Sequence, residues 1–303
     1  MTLAGGREVR SFAPGHVTGL FGRITEAADP RARGSIGAGI VLELGVRATA
    51  RHQPDRGRRV RLTSDLDRAL PISEEVAWRL LPATAGRLSV HLVHELPVGQ
   101  GFGMSAAGAT ATALAVAGVF GERRARALEV AHLADLFGRG GLGGVAAIVG
   151  GGGLEVRRRA GLPPRGEVVH RPLDGVILLG VVGAAIPSPA ALADPRVLAD
   201  LRHAATGLPA TLARLTPERF WSASERFTDR AGLASTEVRR ALRALRSRGC
   251  WAAQSMFGGS LFARPRSTSH RAKALAWLED AGVRAVEVGA APRGAFARRA
   301  QPF

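Results

Sequence analysis

From Leu96 to Gly121 not one side chain carries a charge, and the stretch divides sharply in two. Its opening, Pro97-Val98-Gly99-Gln100-Gly101-Phe102-Gly103, sets a proline and three glycines at alternate positions; the remainder is mostly alanine, glycine and threonine. A run of that length invites reading as a membrane span. Proline and glycine break its first part, however, and small residues bring little transfer energy to the rest. The consistent reading is a buried helix over Ser105–Phe120 that opens from a glycine-rich loop. Leading into the loop, Leu88, Val90, Leu92, His94 and Leu96 alternate with Ser89, His91, Val93 and Glu95, which predicts a strand.

Strand, glycine loop and helix in that order make a cradle for an anion. Glycines let backbone N–H groups approach a ligand with no Cβ in the way. A helix beginning at Ser105 turns its free N–H groups and the positive end of its dipole to the same place. A plain strand-to-helix connection uses glycines too, so the loop alone does not separate the two readings. Two other phosphate motifs are excluded. A Gly-Lys-Ser/Thr loop needs a lysine, and the sole lysine is Lys273; a dinucleotide fingerprint needs glycine where Met104 stands.

Elsewhere the first half alternates strands and helices. Val9–Ala13 reads as a short strand ending at a turn, Pro14-Gly15-His16. Gly37–Ala50 reads as buried or hairpin strands, and a helix is expected over Glu122–Phe137. A second glycine cluster spans Gly138–Gly153 around the apolar Val145–Val149. Glu155–Gly166 is basic and contains prolines, which places a domain boundary there, with domains 1–165 and 166–303. The second half offers a strand at Val176–Val182 and helices at Pro217–Ala231 and Thr236–Arg248. Then come Gly259–Ala263, Ser269–Ala281 and Val283–Val288, strand, helix and strand, like half of a ferredoxin-like unit.

Charge is the loudest global signal: 42 Lys and Arg against 25 Asp and Glu give +17 and a pI near 11.7. That favours polyanions or phosphorylated ligands. The arginines are scattered, though, with no interleaved aromatic platform, so nucleic-acid binding is not expected as the primary role. Cys250 is the only cysteine, which suits a reducing compartment. No N-terminal segment has the make-up of a secretory signal, and the expectation is a cytoplasmic protein with no membrane partner.

The run Pro97–Ala107 resembles the second signature of the GHMP kinases, named for galactokinase, homoserine, mevalonate and phosphomevalonate kinases. PVGQGFGMSAAGA, APGHVTGLF (Ala13–Phe21) and DPRARGSIGAGI (Asp29–Ile40) resemble the archaeal pantoate kinases in particular. AAQSMFGGSLFA (Ala252–Ala263) is similar to the third GHMP signature. The resemblance implies an α+β, two-domain fold. One part is an N-terminal domain like the second domain of a small-subunit ribosomal protein; the other is a ferredoxin-like C-terminal domain. It implies ATP and Mg²⁺ as cofactors, pantoate as the small-molecule substrate, 4-phosphopantoate as the product on the route to coenzyme A, and a possible pairing into homodimers.

The resemblance also implies site residues. Pro97, Gly99, Gly101, Gly103, Met104, Ser105, Ala106 and Ala107 wrap the ATP phosphates. Ser105 offers its hydroxyl to Mg²⁺, with Asp135 as metal partner in a slot the family fills with glutamate. Arg157, beside Arg158 and Arg159, holds the substrate carboxylate, and His16 and Thr18 line the substrate pocket. Three positions depart from the family. Gly144 replaces the aspartate expected as catalytic base, Ile148 stands for a glutamine, and Ser188-Pro189 stands for a Thr-Lys pair. Two readings stay open: a kinase that works without that base, and a GHMP-fold nucleotide-binding protein whose kinase activity is lost or altered. General-base help is worth about 10²–10⁴-fold, a fraction of an enzyme's total acceleration.

Two further constellations give no site. His91 and His94 point to opposite faces of their strand, and the stripe Glu129, His132 and Asp135 reads as a polar helix face.

Overall fold

A computed structural model describes residues 7–83, 86–185 and 193–299. Its spine is a pair of long antiparallel strands, β1 (Glu8–Ile24) and β2 (Gly34–Gln53). β3 (Arg58–Ser64) and a helix α1 (Pro71–Leu80) follow, then β4 (Gly86–His94). β2 serves two partners along its length: Val46–Gln53 pair with β4, and Gly37–Val41 pair with β5 (Gly153–Arg159). β6 (Glu167–Arg171) adds to β5, and the last strand, β11 (Phe296–Arg299), returns to the free edge of β1. The result is one seven-stranded sheet.

β1 differs from expectation in an informative way. The turn read at Pro14-Gly15-His16 is a bulge inside a continuous strand, with the register shifting between Pro14 and His16. A bulge bends a strand and re-aims its groups. Here it brings the His16 N–H to the Phe102 carbonyl at 2.9 Å, tying β1 to the glycine loop. Gly15 permits the approach, because a Cβ there would lie 2.9 Å from both the Leu44 carbonyl and the Met104 side chain.

Against this sheet lie α2 (Met104–Phe120), α3 (Arg124–Phe137) and the short α4 (Gly144–Val149). α2 starts one residue earlier than read from the sequence and is buried on nearly every side. Its alanines and glycines explain this: small residues all round let a helix sit close to several neighbours at once. Gly118, for example, lets Val9 approach to within 2.8 Å of where a Cβ would stand. Among the described residues no helix is long and apolar enough to cross a membrane.

A second sheet takes β7 (Ile177–Val181), β8 (Cys250–Gln254), β9 (Ser260–Pro265) and β10 (Arg284–Val288) in the order β10-β7-β9-β8. Neighbours are antiparallel throughout. In chain order that is 4-1-3-2, the ferredoxin-like arrangement, with the mixed α+β content expected. The first crossover carries α5 (Pro195–Ala204), α6 (Leu208–Ala213), α7 (Pro217–Ala231) and α8 (Thr236–Ser247); the second is α9 (Thr268–Asp280). α8 and α9 bury Val238, Leu242, Leu245, Ala274 and Leu278 against Leu178, Leu261 and the buried Cys250. The boundary expected between residues 165 and 166 falls between the paired strands β5 and β6, so the change from one sheet to the other comes after Arg171.

Candidate functional site

The glycine loop sits where the two sheets meet. Gly99, Gly101 and Gly103 have φ of 82°, 75° and 71°, backbone conformations that strain any residue with a Cβ. The loop is braced from the second sheet: Ser255 Oγ donates to the Gly101 carbonyl at 2.7 Å, and Ser260 Oγ donates to that of Gln100. With His16 N–H on Phe102, three consecutive loop carbonyls are held by protein partners. Their lone pairs, which would repel an anion, are thereby occupied.

Two clefts open from this loop. The larger, about 340 Å³, is mainly apolar, with Leu70, Pro71, Ile72, Val98, Phe102 and Met104 along its walls. The smaller, about 90 Å³, is lined by His16, Thr18, Phe21, Ser35, Asp135 and Arg157 among others. Gly101, Gly103, Ser105 and Gly140 line both. A molecule in each would meet at Ser105.

At that junction Ser105 Oγ donates to Asp135 Oδ1 at 2.7 Å. Asp135 is 2% exposed, and burial pushes its carboxyl up to about 6 against the opposing pull of the serine hydrogen bond. Gly140 keeps the space in front of the pair clear. A Cβ on it would lie 2.2 Å from both Ser105 Oγ and Asp135 Oδ1.

Behind the wall of the small cleft, Glu155 Oε1 accepts from His16 Nε2 at 2.8 Å and from Arg157 Nη1. All three side chains are almost fully buried. They come from β1 and β5, which flank β2 on either side, so the contact crosses β2. Glycine makes the crossing possible. A Cβ on Gly39 would stand 2.4 Å from His16 Nε2, and one on Gly37 would stand 3.0 Å from an Arg157 nitrogen. Arg157 Nε and Ser35 Oγ remain buried without a hydrogen-bond partner, and a Cβ on Gly143 would lie 2.9 Å from the first and 2.2 Å from the second. Glycine again preserves an open spot, here beside two unused donors, a setting that suits a carboxylate.

Burial holds His16 below its usual 6.5, outweighing the Glu155 hydrogen bond that pulls the other way. For Glu155 burial pulls upward, but the Arg157 charge and the His16 hydrogen bond together hold it below its usual 4.5. Both groups therefore bind protons more readily in the unfolded chain, and the stability they contribute is lost as pH falls. Acidification from pH 8 is expected to lower Tm first below about pH 6.5 through His16, then more steeply below about 4.5 through Glu155. A thermal-melt series should show the upper part of that decline flattened in His16→Gln.

Most residues read from the sequence come together here. Ser105, Asp135, Arg157, His16, Thr18 and Ala106 line the small cleft, and Gly99 and Met104 line the large one. Pro97 and Ala107 line neither, Ala107 being fully buried inside α2. Only one of the three arginines faces in: Arg158 lies on the opposite strand face and pairs with Glu167 at 3.6 Å, and a register shift between Arg157 and Arg159 turns Arg159 out to the Arg165 carbonyl. Gly144 lines the small cleft, while Ile148 is fully buried; Ser188-Pro189 lies outside the described residues. No group of three or more His, Cys, Asp or Glu is placed to hold a metal among the described residues, so Glu129 and His132 do not join Asp135. Sequence reading missed Ser35, Gly140 and Glu155. For Glu155 a signal existed, since it shares a strand face with Arg157 two residues on.

Comparison with known proteins points to one family. Residues 72–152 match the family model for the GHMP kinases N-terminal domain. A pantoate kinase from Methanospirillum hungatei is 29% identical over 260 residues, covering 84% of this chain and 86% of that one. A pantoate kinase from Thermococcus kodakarensis is 30% identical over 245 residues, covering 76% and 78%. A solved phosphotransferase related to the CoA biosynthesis pathway superposes with a TM-score of 0.85 at 27% identity, over 96% of this chain and 99% of that one. Mevalonate-3-kinase from Thermoplasma acidophilum, at 15% identity and a TM-score of 0.65 over 98% and 100%, shares the fold. The chain belongs to the pantoate kinases of the GHMP kinase superfamily.

Proposed function

We propose that the protein transfers the terminal phosphoryl group of ATP to the primary hydroxyl of pantoate, giving 4-phosphopantoate and ADP. The observation that carries this reading is the shared wall. A nucleotide-sized apolar cleft and a small cleft with unused buried donors meet at Ser105 and nowhere else along their linings except the adjoining glycines.

ATP lies with its base in the large cleft and its phosphates over the loop glycines and the start of α2. Pantoate has a carboxylate at one end, a dimethyl carbon in its middle and the reacting hydroxyl at the other end. Arg157 and Ser35 supply donors for the carboxylate. Phe21, Leu142, Met256 and Phe257 supply apolar walls for the dimethyl centre, and Phe21 and Phe257 pack edge to face at 5.3 Å. Glu155 and His16 hold the arginine in place rather than touch the substrate. The hydroxyl is then left pointing toward Ser105, where the phosphates end.

A divalent cation such as Mg²⁺ fits the junction. Two oxygens of the kind it prefers, a hydroxyl and a carboxylate, stand together, and Gly140 leaves room in front of them. Ser105 and Asp135 would hold it, and it would neutralise phosphate charge during transfer. In a loose transition state the attacking hydroxyl keeps its proton until late. That proton passes to the transferred phosphoryl group or to water, so the reaction balances without a carboxylate at position 144. Asp135 is the only carboxylate among the described residues lining the small cleft.

ADP release that depends on added pantoate tests the reading, and none at high enzyme concentration would overturn it. Restoring the family aspartate needs more than one change. A Cβ on Gly144 would stand 2.6 Å from the Ala106 Cβ, so α4 must shift away from α2 to accept it. Gly144→Asp alone is therefore expected to leave turnover flat or lower it. Gly144→Asp with Ala106→Gly is expected to raise turnover by about tenfold or more, within the usual range for an added base. Steady-state kinetics on the single and double variants against wild type separate these outcomes.

A further inference from the structure

The large cleft has walls of apolar residues and few polar groups aimed into it. One is His94, whose side chain is only 2% exposed. Asp65 fixes it from behind, accepting from the His94 backbone N–H at 3.0 Å and lying 2.9 Å from Nδ1. Burial pulls the Asp65 carboxyl upward, but the His94 hydrogen bonds outweigh it and keep the group ionised. An ionised carboxylate only accepts hydrogen bonds. Nδ1 must therefore carry the hydrogen, and in the neutral ring Nε2 is a bare lone pair.

That lone pair has no hydrogen-bond partner among the described residues. It faces the same wall as the Ser73 hydroxyl, which is likewise unengaged. Between them Gly108 keeps the floor of the cleft low: its Cβ would lie 3.2 Å from Ser73 Oγ and 4.0 Å from His94 Nε2. An apolar slot with a fixed acceptor and a hydroxyl at its end suits a flat heterocycle with an N–H on its rim.

We propose that His94, oriented by Asp65, reads the nucleobase by accepting a hydrogen bond from the 6-amino group of adenine, with Ser73 serving the neighbouring ring nitrogen. This deepens the kinase reading, on which it rests, by naming what selects the nucleotide. Guanine and hypoxanthine carry a carbonyl at the same position, and an oxygen lone pair set against Nε2 is repelled. A single well-placed base contact of this kind discriminates by roughly 10–100-fold.

The test needs no acceptor substrate, so its failure leaves the assignment of pantoate untouched. Calorimetric titration of the wild-type protein with Mg²⁺ and non-hydrolysable ATP, GTP and ITP analogues should show the adenine compound bound 10–100-fold more tightly than the other two. ITP is the sharpest probe, because it differs from ATP only along this edge: the amine becomes a carbonyl and the adjoining ring nitrogen gains a hydrogen, which the Ser73 hydroxyl can accept as readily as it can donate to the bare nitrogen of adenine. His94→Gln, whose amide can turn either way, is expected to bring all three within about threefold of one another. Asp65→Asn can donate to Nδ1 and leave Nε2 carrying the hydrogen, so it should shift preference toward ITP. Equal wild-type affinity for ATP and ITP analogues overturns the proposal. So does an unchanged preference in both variants when their melting curves match wild type, since that is what a purely structural His94–Asp65 pair would give.

Discussion

Gly140→Ala is expected to reduce turnover by on the order of 10²–10³-fold while leaving the fold intact, the loss typical of removing one strong electrostatic contact to the reacting phosphate. Gly140 is not among the residues with positive φ, so alanine meets no backbone penalty there. What it meets is occupancy. The new Cβ would stand 2.2 Å from Ser105 Oγ and Asp135 Oδ1 and 2.6 Å from Ile72 Cδ1. The serine and aspartate must part, and the space in front of them fills with carbon. Binding of Mn²⁺, followed by its electron paramagnetic resonance signal in the presence of an ATP analogue, should weaken along with kcat, while the melting temperature stays close to wild type. Wild-type turnover in Gly140→Ala would remove the junction from the mechanism.

Arg157→Met should have the largest effect on stability and on acceptor binding together. It takes away the main charge that holds Glu155 ionised inside the protein, with Glu155 Oε2 already lacking a partner. Breaking a buried ion pair from one side costs about 3–5 kcal/mol. The companion change Glu155→Gln removes the stranded charge, so the double variant should be more stable than Arg157→Met alone, and denaturant melts will measure the difference. Kinetics separate the second role. With Arg157 gone from either variant, KM for pantoate should rise at least about tenfold, whereas affinity for the ATP analogue, bound in the other cleft, should hold. Equal weakening toward both ligands would mean that Arg157 shapes the whole site rather than one end of it.

Much of the framework could be read from residue order alone, for identifiable reasons. The loop from Pro97 to Gly103 announces itself because its glycines are locally required by positive φ. Alternation from Leu88 onward gives β4, because one face is buried and the other is wet. β3 and α1 went unread. β3 is an exposed arginine-rich strand whose parallel pairing with β4 lies some way along the chain, so nothing within it marks the partnership.

The site shows the same division. Ser105, Asp135 and Arg157 carry functional groups, and the first two sit on readable helices. Gly37, Gly39, Gly140 and Gly143 act by what they leave out, and the value of an absent side chain depends on neighbours far away in sequence. His16 and Glu155 are 139 positions apart, and only the bulge in β1 and the bare stretch of β2 bring them together. Gly144 illustrates the opposite case. The departure from the family is visible at once, but the obstacle to reversing it is the methyl group of Ala106 on another helix.

The pairing of β11 with β1 has a consequence for how the molecule is made. On the ribosome, residues 8 to 171 can begin to assemble their sheet early, yet one margin stays uncovered until Phe296–Arg299 emerge. Through all that time the β1 backbone presents unsatisfied N–H and C=O groups to any passing strand. The ferredoxin-like unit is topologically a long excursion between β6 and β11, strands on opposite margins of a single sheet, and β1 is covered only once that excursion has been made.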